Sequence, residues 1–201
     1  MLAGSIGSAQ AATIDFEDVA VAPGTEAFNS VDVISGGFLF DALNHSHTAN
    51  RFWGTDNGST HMVLDHFLGS DPLTISQVGG APFALTSLDI SDAHSQFGSA
   101  RQVEVVGNLS GGGTVSRLLT LNVDIVDGVY GDYFETFIFD AAWGSLSSIV
   151  LNGLGGIGGA DYYAIDNIVV GPPAAVPEPG TLSLLGLSSV YLYRLRRQKR
   201  T

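Results

Sequence analysis

Arg101-Gln102-Val103-Glu104-Val105-Val106, then Gly111-Gly112-Gly113, then Ser116-Arg117-Leu118-Leu119-Thr120-Leu121-Asn122-Val123: this stretch decides the fold class. In Arg101–Val105 the polar side chains face one way and the valines the other. Leu119, Leu121, Val123 and Ile125 line one face of the second run. Such alternation marks strands with one buried and one wet face. The glycines between them read as a loop or a tight hairpin. Working outward, similar short runs rich in Val, Ile, Leu, Phe and Thr fall at Thr13–Glu17, Val31–Ile34, Gly37–Phe40, Thr60–Leu64, Leu73–Gln77, Leu85–Ile90, Thr136–Phe139, Ser147–Leu151 and Ala164–Val170. Helical periodicity is scarce and no internal repeat is found. About eleven short strands at turn-rich spacing predict an all-β fold, an antiparallel β-sandwich of jelly-roll type, over residues 13–171. Gly153 to Gly159 reads as a second loop or hairpin, and Gly171-Pro172-Pro173-Ala174-Ala175-Val176 as a short stiff linker ending the domain.

Composition narrows the class. The chain has 201 residues, 45% of them hydrophobic, and 26 glycines. That is one ordinary domain with short appendages, too apolar for a disordered acidic chain. It has no cysteine, which excludes disulfide frameworks, thiol nucleophiles and thiolate metal sites. Twenty acids against eight bases give a net charge of −12, so nucleic acid is not an expected partner, since binding its backbone needs a basic patch. Placement says more than the total. Between Thr13 and Val176 stand 19 acids and 3 bases, while Arg194, Arg196, Arg197, Lys199 and Arg200 crowd the last eight positions. An acidic body with a basic tail points to two environments.

The tail orders three features: Val176-Pro177-Glu178-Pro179-Gly180-Thr181, the uncharged run Leu182–Tyr193, and the Arg/Lys cluster. As a helix the 12-residue run is about 18 Å long, short of a bilayer core of about 30 Å. Extended to Pro179–Leu195 it reaches about 25 Å, and snorkelling arginines supply more. A short C-terminal hydrophobic helix is therefore expected, with its basic stop on the cytoplasmic side and the acidic body outside. Residues 177–201 resemble the PEP-CTERM sorting signal of exported proteins of Gram-negative bacteria. The resemblance implies recognition of Pro177, Glu178, Pro179 and Gly180 by a membrane-embedded exosortase, and a transient stay in the inner membrane. Release to the cell surface or the extracellular polymer matrix then follows. Pro-x-Pro resists helix and sheet and stays extended for a protease. Tyr191 and Tyr193 depart from the usual span but suit a membrane interface.

An export signal is expected at the other end. Ala9-Gln10-Ala11 fits a small-x-small cleavage site, and residues 1–12 read as a residual signal peptide whose start lies upstream of Met1.

Ile14-Asp15-Phe16-Glu17-Asp18, Gly36-Gly37-Phe38, Trp143 and Tyr163–Val169 together resemble the galactose-binding-like sandwiches of surface proteins and carbohydrate-binding modules. In that family the first and last strands often lie side by side and share a calcium ion. The resemblance implies a structural calcium on Glu17 and Asp166, with Asp18 or Asp161 nearby, hard oxygen ligands of the kind calcium takes. The alternative is that these acids are solvated strand ends or Asx-turn formers.

Other chemistry finds little footing. His45 and His47 would share a face in a strand, without an evident third metal ligand; loop or core roles are expected for them and for His61, His66 and His94. No zinc-protease or serine-nucleophile motif occurs, and catalysis is not expected. The loop Asn50–Gly58 joins aromatic and polar groups, and Trp53, Asp56 and Asn57 are candidates for stacking on and hydrogen bonding to a sugar. A core tryptophan beside a turn is the alternative. Asn57-Gly58-Ser59 and Asn108-Leu109-Ser110 match the glycosylation triplet. The expectation is thus an exported, non-catalytic β-sandwich protein of the surface or polysaccharide matrix. A carbohydrate-binding module with structural calcium is the first alternative and a secreted glycan-active enzyme the second.

Overall fold

The computed structural model describes residues 10–30, 32–43, 46–52, 55–64, 72–93, 98–122, 134–156 and 161–174. The expected export segment apart from its last residues, the expected sorting motif Pro177–Gly180, the expected C-terminal helix with its basic stop, and Trp53, His45, His66 and His94 lie outside them.

Thirteen strands lie among the described residues: β1 (Ala12–Ile14), β2 (Glu26–Asn29), β3 (Val33–Ser35), β4 (Phe38–Ala42), β5 (Ser46–Ala49), β6 (His61–Leu64), β7 (Leu73–Gln77), β8 (Ala84–Asp92), β9 (Gln102–Leu109), β10 (Thr114–Thr120), β11 (Glu135–Ile138), β12 (Leu146–Leu154) and β13 (Tyr163–Gly171). They form two antiparallel sheets, as the alternation predicted. Sheet A runs β11-β8-β13-β6-β5-β2, with β1 also on β13; sheet B runs β10-β9-β12-β7-β4-β3. Strands β6 to β13 thereby fall in the orders β6-β13-β8-β11 and β7-β12-β9-β10, first beside last, which is the jelly-roll arrangement. The remaining strands widen each sheet at one side.

Alternate residues of both sheets fill the space between them. Phe40, Met62, Leu64, Leu73, Ile75, Leu88, Ile90, Val103, Val105, Ile149, Leu151 and Ile165 are all buried there. The Tyr163 hydroxyl crosses from sheet A to donate to the Leu151 carbonyl at 3.3 Å. The β9–β10 hairpin closes through Gly111–Gly113, as expected. Gly36 and Gly37 form the two-residue turn between β3 and β4, both at positive φ (56° and 79°), the geometry that a tight hairpin asks of its central residues.

Three expectations need correction. The first run does not continue as a strand to Glu17. It ends at Ile14, Phe16 turns left-handed at φ 57°, and Glu17–Val19 make a single 3-10 turn. Gly153 is not in a loop but inside β12. A Cβ there would stand 2.5 Å from the Asp161 carbonyl oxygen, so the glycine marks a close approach of two backbones. β2 and β5 were not foreseen, because three of the four residues Ser46-His47-Thr48-Ala49 are polar and the strand is still buried along its whole length.

Candidate functional site

β13 is bordered on one side by β8 and on the other by two strands in succession. β6 pairs with Tyr163–Ile165, and β1 pairs with Ile168–Val170. The handover falls at Asp166-Asn167. There the register against β8 shifts, and Asn167 adopts φ 45°. Asp166 is fully buried at this break. The break leaves room beside β13, and the loop Thr55–Thr60 fills it.

The loop is fastened by carboxylates. Asn57 Nδ2 donates to Asp166 Oδ2 at 2.7 Å, and the Ser59 hydroxyl donates to the same oxygen at 2.8 Å. Asp166 Oδ1 accepts from the Asn167 amide at 2.8 Å. One residue on, the Thr60 amide donates to Glu17 Oε1 at 2.7 Å. Within the loop, Asp56 Oδ1 accepts from the Gly58 amide at 2.9 Å, an Asx turn, and Asn57 Oδ1 accepts from the Ser59 amide and, at 2.9 Å, shares with Asp166 the single proton of the Ser59 hydroxyl. Behind Asp166 stands Asp89 of β8, which accepts from Asn167 Nδ2 at 3.1 Å and from the Thr136 hydroxyl of β11 at 2.6 Å.

Burial dominates the electrostatics. It pushes the Asp166 carboxyl from its ordinary 3.8 up to about 6, against the pull of its Asn57, Ser59 and Asn167 donors, with Asp89 adding a push upward. His61, buried at the start of β6, is driven the other way, from 6.5 down to about 4, because burial disfavours its charged form. Its Nδ1 lies 3.4 Å from the Ser59 carbonyl, its Nε2 has no hydrogen-bond partner among the described residues, and its ring meets Phe134 edge-on at 5.4 Å. Further along the same face, His47 lies 3.9 Å from Glu26, and its ring meets Phe28 edge-on at 5.4 Å and Phe52 at a tilt at 4.9 Å. Both described histidines are thus core residues of strands, as expected.

Of the four acids expected to share calcium, the structure brings Glu17 and Asp166 to one loop and not the others. Asp18 points from the 3-10 turn to the β3–β4 hairpin. There the Ser35 hydroxyl donates at 2.5 Å and the Gly36 amide at 2.8 Å, holding its pKa below the usual range. Asp161 accepts from the Gly156 amide at 2.6 Å. Among the described residues no three acids or histidines gather closely enough to hold a metal ion. Asp56 and Asn57 are both engaged in fastening the loop. The two glycosylation triplets are similarly occupied, since Asn108 Nδ2 donates to Ser148 Oγ at 2.9 Å. Sequence reasoning missed Asp89, Ser59, Thr60 and Asn167; Asp89 carried the only local signal, an acid alternating with Leu88 and Ile90 in a strand.

No helix among the described residues is long and apolar enough to cross a membrane. No protein-family model matches the chain, and neither does any curated protein. Solved structures give distant likenesses. The Stig cyclase Fisc of Fischerella sp. TAU is 15% identical, over 83% of this chain and 100% of that one, with a TM-score of 0.46. An exo-beta-agarase is 13% identical over 82% of this chain and 25% of its own, with a TM-score of 0.43. The K3 cleaved adhesin domain of Lys-gingipain from Porphyromonas gingivalis W83 is 13% identical over 80% and 98%, with a TM-score of 0.34.

Proposed function

We propose that the chain is an exported, non-catalytic β-sandwich protein, sorted by its C-terminal signal to the cell surface or the extracellular polysaccharide matrix. The observation that carries this is the ordered tail: Pro177-Glu178-Pro179-Gly180, the uncharged run Leu182–Tyr193, and the five cations from Arg194 to Arg200, behind a body that holds 19 of the 20 acids. Three features in fixed order are far more specific than a lone Pro-Glu-Pro. In this reading the inner membrane holds the chain transiently, the basic stop stays inside, and exosortase cuts near the motif. Fractionating host cells and weighing the mature protein tests it. A chain shortened at both ends and recovered from the surface or matrix is expected. An intact chain dissolved in the cytosol would overturn the proposal.

A second reading, a carbohydrate-binding module with a structural calcium, has one observation in its favour. Glu17, in the 3-10 turn that follows the first strand, and Asp166, in the last strand, both attach to the loop that bears Asp56 and Asn57. Glu17 and Asp166 would hold the ion, whose hard charge would tie the first and last strands together. A ligand specific for the folded state must stabilise it. Chelator should therefore lower the thermal midpoint, and an unchanged midpoint would remove calcium. For sugar, a signal on a polysaccharide panel that disappears in Trp53→Ala is expected, and silence across the panel would count against binding.

A further inference from the structure

The sequence contains two Asn-Gly pairs, Asn57-Gly58 and Asn152-Gly153. In such a pair the glycine amide nitrogen can attack the asparagine Cγ. A new C–N bond forms, the bond to Nδ2 breaks, and ammonia leaves a five-membered imide. Water then adds to one of the imide carbonyls, giving aspartate or isoaspartate. Glycine favours the attack because no side chain hinders its nitrogen and its backbone bends freely.

The fold treats the two pairs differently. Asn152 and Gly153 lie inside β12, opposite Glu104 and Val103 of β9. The backbone there is extended, and a Cβ at Gly153 would already crowd the Asp161 carbonyl oxygen, so the chain has no room to fold back into a ring. Asn57 and Gly58 lie on an exposed loop. Gly58 has φ 81°, and open space surrounds the place of its missing Cβ. No ladder holds this pair. It is held by the bonds from Asn57 Nδ2 to Asp166 and from Ser59 to Asn57 Oδ1, and by the Asp56 carboxylate on the Gly58 nitrogen.

We propose that Asn57 is a deamidation site, that the Asp166 clamp sets its rate, and that conversion releases the loop. Two carboxylates bear on the reaction: Asp166 fixes the departing Nδ2, and Asp56 accepts from the attacking Gly58 nitrogen. Conversion removes the NH2 that Asp166 accepts from and leaves a carboxylate facing a carboxylate. The new charge then repels the buried Asp166 carboxylate, and the loop departs.

The test is to age the purified full chain at mildly alkaline pH and follow both asparagines by peptide mass, with the same chain in denaturant as reference. The expected order is denatured Asn57 fastest, native Asn57 slower, native Asn152 slowest. Asp166→Ala should accelerate Asn57 about tenfold, the effect of losing one hydrogen bond to a charged group, and leave Asn152 unchanged. If Asn152 accelerates as well, that variant has lost its fold, and Ser59→Ala decides instead, with a rise of about threefold at Asn57 alone. The converted fraction, separated by charge, should melt below the unconverted one and be cut sooner by protease within residues 55–60. Native Asn57 converting no faster than Asn152 overturns the proposal. So does an unaltered Asn57 rate in either variant that keeps Asn152 silent, and an unchanged melting point of the converted fraction overturns the release of the loop.

Discussion

Asp166→Asn should change the pH dependence of stability between pH 4 and 6, and its sign follows from two buried groups that oppose one another. Asp166 rises from 3.8 to about 6 on folding. Between those values the folded state keeps a proton that the unfolded chain has lost, so stability falls as pH rises, by ~3 kcal/mol over the window. His61 falls from 6.5 to about 4. There the unfolded chain holds a proton that the folded state refuses, so stability climbs with pH, by a similar ~3 kcal/mol. In the wild type the two nearly cancel. Asn in place of Asp166 removes the falling component and exposes the climb. His61→Phe, which keeps a ring against Phe134, should expose the fall. Urea denaturation at half-unit steps from pH 4 to 6.5, reported as each variant minus wild type, reads both slopes directly. Variant and wild-type profiles running parallel across that window would refute the opposing-burial account.

Other perturbations test the packing. Gly153→Ala should cost about 1–3 kcal/mol in chemical denaturation, because the added methyl meets a backbone carbonyl at 2.5 Å rather than a yielding side chain; a neutral result would deny that close approach. Leu73→Ala, in the buried middle of the sandwich, should cost about 2–5 kcal/mol by the same measurement. Asp18→Asn should lower the thermal midpoint at neutral pH, since the Ser35 and Gly36 bonds favour the ionised form. That difference should shrink as pH drops through the carboxylate range, where wild-type Asp18 also becomes neutral.

The sandwich was legible because its strands advertise themselves. Val103 and Val105 alternate with Gln102 and Glu104, and the same pattern recurs wherever a strand has one dry face. β5 gave no such sign. Its four residues are buried on both faces between β2 and β6, and three of them are polar, so no period stands out. The acids at the two ends of the domain were also legible as a group worth joining, and Glu17 and Asp166 do reach one loop. Which acids stay together was not legible. That depends on Phe16 turning left-handed, which sends Glu17 and Asp18 to different partners, one toward Thr60 and one toward Ser35. The bond from Asn57 to Asp166 joins residues 109 positions apart, and no local pattern encodes such a meeting.

The place of β13 in the chain has a bearing on when the molecule can fold. Its neighbours β1, β6 and β8 are made long before it, and none of sheet A's central pairings exists until residues near 171 are free to dock. A topology whose contacts are this non-local has high contact order and folds slowly. Until its final strand arrives, the halves β11-β8 and β6-β5-β2 stay unjoined and their apolar faces are left uncovered. The last strand then acts as a keystone, joining the two halves of its sheet only once nearly the whole domain has been made.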